Sequence, residues 1–403
     1  MGRIYFDHAA TTPLDPEVFR VMEAFLREDF GNPSSTHSRG RDVRSALDQA
    51  RNDVAGTIGA DPREIIFTSG GTEGANAVLK GVAWVQRAGR NHLVVSSVEH
   101  SCVLESAEWL SKNGFQVTYV PVDAEGRVDP SDVASAIRRE TFLVSCTAAN
   151  HEVGTLQPIR EIAKTAREKG ALFHTDAVQA YGKVPLHVED GFDYLTASAH
   201  KFYGPKGAGF LYQRKDAPLV PLLHGGVQER GRRAGTENVP AIVGMSEAAV
   251  RAAAWMKDDV PRLEELVTVL VEGLKRRLPD LVVNGPYDNN QAMLFDRGSS
   301  DSPLPPRRAP GIVNIRIPGF KGDDLAHALD TKGFAVSAGP ACSSGAGASS
   351  RTLTAMGRDK KAAREGLRIS FGRLNTEAEA RQLLEVLPLV VERLRMLSPF
   401  LGD

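Results

Sequence analysis

From residue 42 the chain alternates two rhythms of apolar positions. In "DVRSALDQARNDVAGTIG", Val43, Ala46, Leu47, Ala50, Val54 and Ile58 recur at the spacing of a helix with one apolar face. Short apolar runs follow at "EIIFTS", "HLVVSS", "VTYVPV", "TFLVSCTA", "ALFHTDA", "YLTASAH" and "GFLY", several rich in Val, Ile, Phe or Tyr. Helix-like or turn segments separate them, which predicts a mostly parallel central sheet with helices on both faces. After Pro240 two amphipathic stretches, roughly 241–257 and 262–278, predict two long helices. A different rhythm then sets in with "GIVNIRI", "DDLAHALDTKG", "LRISFG" and a last helix from about Glu377, the pattern of a smaller α+β lobe. Residues 285–311, dense in Pro, Asn, Asp, Ser and Arg, read as a loop too long for a mere connection, hence a lid or a mobile insertion. No internal repeat stands out.

Composition narrows the class. A chain of 403 residues exceeds what one core organises comfortably, so two lobes are expected. The 49 basic and 50 acidic residues nearly cancel and form no long like-charge run, which argues against a partner nucleic acid or membrane surface. No apolar run is long enough to span a bilayer, and "MGRIYFDHAATTPLDPE" lacks a signal-peptide core, so a soluble, cytoplasmic protein is expected. The three cysteines, Cys102, Cys146 and Cys342, lie far apart without CxxC pairing and suggest neither a disulfide framework nor a metal site.

Ligands of open α/β sheets gather where strand ends lead into helix N-termini. "IIFTSGGTEGANAVLKG" has that form: a strand ending near Thr68, then Gly70, Gly71 and Thr72, then a helical pattern. Glycines let backbone N–H groups converge on an anion, although a plain tight turn explains Gly-Gly-Thr equally well and GxxxxGK[ST] is absent. "ALFHTDAVQAYG" ends a strand in Asp176, where an isolated Asp more often caps the next helix. Lys201 closes the run "YLTASAH" and is followed by a Gly/Pro turn. A carboxylate and an amine at two strand ends, beside a phosphate-suitable loop, are the parts a pyridoxal phosphate site needs. Burial there would lower the lysine pKa and leave a neutral amine able to act as base. Cys342 sits among small residues in "VSAGPACSSGAGASSRTL", a setting for a thiol that travels rather than one that packs. Cys146, inside "FLVSC", reads as inert core, and Cys102 is left open.

The segments "YFDHAATTPLDPEV", "FGNPSSTHSRGR", "IIFTSGGTEGAN", "VEHSCVL", "ANHEVGTLQP", "HTDAVQAYGK", "SAHKFYGPKG", "HGGVQERGRRAGTEN" and "SAGPACSSG" together closely resemble the cysteine desulfurases of the NifS/IscS type. These are class V aminotransferase-family, fold type I pyridoxal phosphate enzymes. The resemblance runs in order from about residue 3 to residue 380. It implies a large cofactor-binding domain over 15–250, and a small domain from 1–14 and 251–403 that carries the cysteine loop. That loop resembles the flexible "SGSAC" loop of the NifS/IscS group more than the "RTGHHC" loop of the SufS group.

The resemblance also implies roles. Lys201 is the Schiff-base lysine for pyridoxal 5'-phosphate, and Cys342 is the thiolate that takes the substrate sulfur as a persulfide. Gly71 and Thr72 hold the phosphate with Ser198 and His200, while Thr236 reaches the phosphate of the partner subunit, so a homodimer is implied. Asp176 keeps the ring nitrogen protonated, Gln179 bonds the phenolic oxygen, and His100 stacks on the ring and shuttles protons. Arg368, which on its own would read as a structural ion-pair partner, grips the substrate carboxylate with help from Asn32. The implied reaction converts L-cysteine to L-alanine and passes sulfur to an acceptor or scaffold protein, for iron–sulfur clusters or thiolation.

Two departures stand out. His151 occupies a position where many relatives carry Asn near the phenolic oxygen, a bond that histidine can also donate. The 285–311 insertion is longer than is usual in this group. A selenocysteine lyase, or another class V enzyme acting on a different amino acid, remains the alternative, and Cys342 speaks against an aminotransferase, which needs no mobile thiol.

Overall fold

The computed structural model describes residues 3–287, 307–339 and 349–397. The chain runs through β1 (Ile4–Tyr5), α1 (Pro16–Arg27), α2 (Ser38–Ile58), β2 (Ile65–Thr68), α3 (Gly71–Gln86), β3 (His92–Ser96), α4 (Ser101–Lys112) and β4 (Gln116–Val120). Next come α5 (Pro130–Ala136), β5 (Thr141–Ser145), α6 (Ile159–Glu168), β6 (Leu172–Asp176), β7 (Tyr194–Ser198) and β8 (Gly209–Gln213). The remainder holds α7 (Val239–Arg277), β9 (Val282–Asn284), β10 (Ile312–Arg316), α8 (Gly322–Asp330), β11 (Phe334–Ala335), α9 (Arg351–Ala355), β12 (Gly366–Ser370) and α10 (Glu377–Leu397).

The main sheet has the order β2-β8-β7-β6-β5-β3-β4. Every position of β3, β5 and β7 is buried, as apolar runs covered on both faces require. The pairs from β4 across to β7 are parallel, and β8 runs antiparallel to both β7 and β2. The link between β7 and β8 is too short for a crossover helix, so that pair can only be antiparallel. Val78, Leu79 and Val82 of α3 and Val103 and Leu110 of α4 pack on one face with Leu93, Val95 and Leu211. Leu47 and Val54 of α2, Ile162 of α6 and Met245 of α7 belong to the core on the other face.

The two helices expected at 241–257 and 262–278 are one, Val239–Arg277, which passes through Pro261. Proline removes the N–H that would bond the Lys257 carbonyl; Lys257 and Pro261 are both exposed, so water can serve that carbonyl and the helix continues. Its apolar residues change core between Val260 and Leu263, from the large sheet to a cluster with Val313, Ile369 and Leu387. The boundary expected at residues 250/251 thus falls inside α7. The second cluster is built on the antiparallel sheet β12-β10-β9, with α8 and α10.

The N-terminal segment ties the two clusters together. β1 pairs with β11, Asp7 bridges to Ser370, and the Thr12 N–H then donates to the His200 carbonyl at 2.9 Å. Of the long loop at 285–311, residues 288–306 lie outside the described residues. Its flanks are packed: Tyr287 Oη donates to Glu272 at 3.0 Å, and the fully buried Arg308 pairs with Glu264 at 2.5 Å.

Candidate functional site

A cleft of about 440 Å³ opens at the carboxyl edge of the main sheet. Its floor begins at the N-terminus of α3, where Gly70 has φ of 149° and no side chain caps the helix. The first-turn N–H groups of Gly71 and Thr72 are therefore offered to a ligand with the favourable end of the helix dipole. Gly71 packs so closely that a Cβ there would stand 2.5 Å from Val178, and Ser198 and His200 line the same end of the cleft. Burial beside Lys201, Lys206 and Lys183 lowers the His200 pKa to about 4, so its ring is neutral.

Lys201 leaves the short helical turn after β7, and its Nζ donates to the carbonyls of Ala9 at 2.6 Å and Ala10 at 2.8 Å. Asp176 is the last residue of β6; its Oδ1 accepts from the Val178 N–H at 2.9 Å. Burial pushes the Asp176 pKa up, while His100 and Lys201 oppose the rise. His100 is the N-cap of α4: its Nδ1 accepts from the Cys102 N–H at 3.2 Å, which leaves the proton of the neutral ring on Nε2. The Cys102 Sγ lies 3.1 Å from the same Nδ1 and 4.0 Å from Asp176 Oδ2. Burial, with Asp176 and Glu99 nearby, pushes that thiol well above its ordinary pKa, so it is a neutral wall of the cleft. His151 meets His100 edge to face at 5.2 Å between centroids, and burial keeps it neutral.

Arg368, from β12, enters the same cleft almost fully buried. One terminal nitrogen donates to the His151 carbonyl and the other to Asp7 Oδ1, each at 2.8 Å, and its buried Nε has no partner among the described residues. The structural pairing and the cleft position both hold: Asp7 anchors a guanidinium that still faces the cavity. Gln179 completes the wall, its Nε2 donating to the Ala9 carbonyl at 2.7 Å.

Lys201, His100, Gly71, Thr72, His151, Asp176, Gln179, Ser198, His200 and Arg368 thus line one cavity. Asn32 does not: it is exposed, and its Oδ1 accepts from the Ser34 N–H. Thr236 is also exposed and lines a neighbouring hollow that shares Ser69 and Gly207 with the cleft. Cys342 lies outside the described residues, whereas Ser337 and Ser350, on the two sides of its segment, are anchored beside the cleft. Ser337 bridges to Arg368, and the Ser350 hydroxyl donates to buried Glu152 at 2.6 Å. Sequence reasoning assigned no role to Asp7, to the Ala9 and Ala10 carbonyls or to Cys102 as a wall; "YFDHAATTP" and "VEHSCVL" contained them, but backbone acceptors leave no residue-type signal.

The sequence model of the class-V aminotransferases matches residues 4–383. "Cysteine desulfurase IscS" of Dictyoglomus turgidum is 43% identical over 398 residues, covering 98% of this chain and 96% of that protein. A solved structure titled "NIFS-LIKE PROTEIN" superposes with a TM-score of 0.87 at 36% identity, over 97% of this chain and 99% of the other. Another, titled "SspA in complex with cysteine", gives a TM-score of 0.76 at 34% identity, over 91% and 98% of the two chains. No helix among the described residues is long and apolar enough to cross a membrane.

Proposed function

Because this chain belongs to the class-V aminotransferase family, among relatives named cysteine desulfurases, we propose that its cleft binds pyridoxal 5'-phosphate and removes sulfur from L-cysteine. One observation carries the reading: an amine (Lys201), a buried carboxylate (Asp176), an uncapped helix N-terminus (Gly71–Thr72) and an arginine (Arg368) converge on one cavity. These residues fit the cofactor. An aldehyde-reactive amine, an anion cradle at the α3 N-terminus and an acid whose raised pKa a ring cation would relieve are the three groups it needs.

When bound, the cofactor supplies an aldehyde to amines and a ring that accepts the electron pair released at the substrate Cα. Lys201 would anchor it, and the Ala9 and Ala10 carbonyls place the Lys201 amine to take the substrate Cα proton. Arg368, held by Asp7, orients the substrate carboxylate. His100, neutral with its proton on Nε2, gives that proton where charge develops. Cys342, as thiolate, attacks the sulfur: the Cβ–S bond breaks, an S–S bond forms, and a proton goes to the alanine methyl group, so cysteine and one thiol yield alanine and one persulfide. A partner subunit contributes Thr236, and the persulfide passes to an acceptor protein or reductant.

The test is alanine release from L-cysteine, with a reductant present, by the cofactor-loaded protein and its Cys342→Ala variant. Release by the parent with near-loss in the variant is expected. Release from selenocysteine alone would overturn the cysteine assignment.

A further inference from the structure

The "HTDAVQAYGK" segment contains a second lysine for which the reaction above has no use. After β6 the chain makes a helical turn, Tyr181 N–H to Ala177 O and Val184 N–H to Ala180 O, which brings Lys183 over Gln179. Lys183 Nζ donates to Gln179 Oε1 at 2.9 Å. The other end of that amide donates to the Ala9 carbonyl, the same oxygen that receives Lys201. We propose that Lys183 is a positioning residue of this reaction: by donating to Gln179 Oε1 it holds the amide with its NH2 group towards Ala9 and the cleft.

The argument is one of satisfied donors. Gln179 is only 4% exposed, so water cannot repair a wrong orientation. Turned over, the amide would set its oxygen against the Ala9 carbonyl and its NH2 against the Lys183 amine. Ala9 alone selects one orientation, and Lys183 selects it a second time. Of the two Nε2 hydrogens, one serves Ala9 and the other is left for the cleft, where the reading above puts the phenolic oxygen of the cofactor. On that reading the present inference rests.

Burial, Lys201 and Arg368 together lower the Lys183 pKa to about 7. The charged and titratable groups around it are Lys201 and Arg368, His8 and His200, which feel its charge, and Asp259, which lines the same small cavity. A neutral amine still donates to Oε1, so the bond outlasts the charge. The cavity, about 40 Å³, shares Ala9 and Lys201 with the cleft and gives a longer side chain room.

The readout is the pH midpoint of the visible absorption band of the bound cofactor, followed in the parent, Lys183→Met and Lys183→Arg. A correctly turned Gln179 stabilises the phenolate and so disfavours the protonated form of the chromophore, as does a nearby positive charge. Lys183→Met is expected to raise the midpoint by about one unit, a tenfold change in proton affinity, and Lys183→Arg to restore most of it. An unchanged midpoint in a folded, fully loaded Lys183→Met would overturn the proposal. If that variant does not fold, Lys183→Leu, which also lacks a donor, is read in the same way. A Lys201→Ala control separates the two levels: a parent that shows no Lys201-dependent band sinks the reading of the site itself, whatever the Lys183 variants do.

Discussion

Glu99 holds its carboxyl where water does not reach, 3% exposed, accepting from the Ser96 hydroxyl at 2.6 Å and the Thr147 N–H at 2.5 Å. Burial, with Asp176 nearby, raises its pKa to about 8. Between its ordinary value of 4.5 and 8 the folded chain keeps a proton that the unfolded chain has lost, so this residue makes stability fall as pH rises through that window. His8, His92 and His174, whose pKa values burial lowers, act with the opposite sign, withdrawing stability as pH drops below 6.5. Glu99→Gln cannot ionise and leaves the histidines alone. Its stability relative to the parent is therefore expected to grow from pH 5 to pH 8 by an amount on the order of a few kcal/mol, in denaturant titrations at both values. Parallel curves would refute it. At this scale Lys201, Asp176, His100 and Arg368 were legible because each is a reactive type at a strand end or in a recognisable segment. Glu99 and Lys183 were not, since their effect comes from being dry beside Asp176 and Gln179, which only the fold creates.

Among the elements, β8 decides the geometry of the cleft floor. Gly209 pairs with Ser198 of β7 on one side and Thr68 of β2 on the other. A Cβ there would stand 2.5 Å from the Ala197 carbonyl oxygen and 2.6 Å from Gly70 Cα. Gly209→Ala therefore has to push the loop before α3 away from β7, the strand that leads to Lys201, an overpacking of about 1–3 kcal/mol. Cofactor retention in dialysis should weaken about tenfold or more, with a modest loss of thermal stability. Full retention would show that the floor yields. The alternation of strands and helices was readable from period alone, whereas the continuity of α7 was not. Proline normally ends a helix, and only the exposure of Lys257 and Pro261 allows it to pass.

For the whole molecule, the loop from Leu222 to Thr236 presents apolar surface outward, with Val227 88% exposed and Leu222 and Leu223 also exposed. It is held in shape against strain: Glu229 and Arg230 adopt φ of 48° and 57°, and Glu229 is fixed by a buried pair with Arg51 at 2.7 Å. We expect this loop to lie on a partner subunit and to deliver Thr236 there. Val227→Asp should then sediment as a monomer and lose cofactor together with its partner; an unchanged assembly state would exclude this surface. The N-terminal segment has a consequence of its own. Asp7 meets Arg368, and Ala9 meets Lys201, so a segment synthesised before the main sheet closes a site whose last wall emerges hundreds of residues later. Until β12 is synthesised Arg368 does not exist to receive Asp7, and the nascent chain cannot finish a working cleft. Synthesis thus carries its own timer: the cleft can be completed only once β12 has emerged.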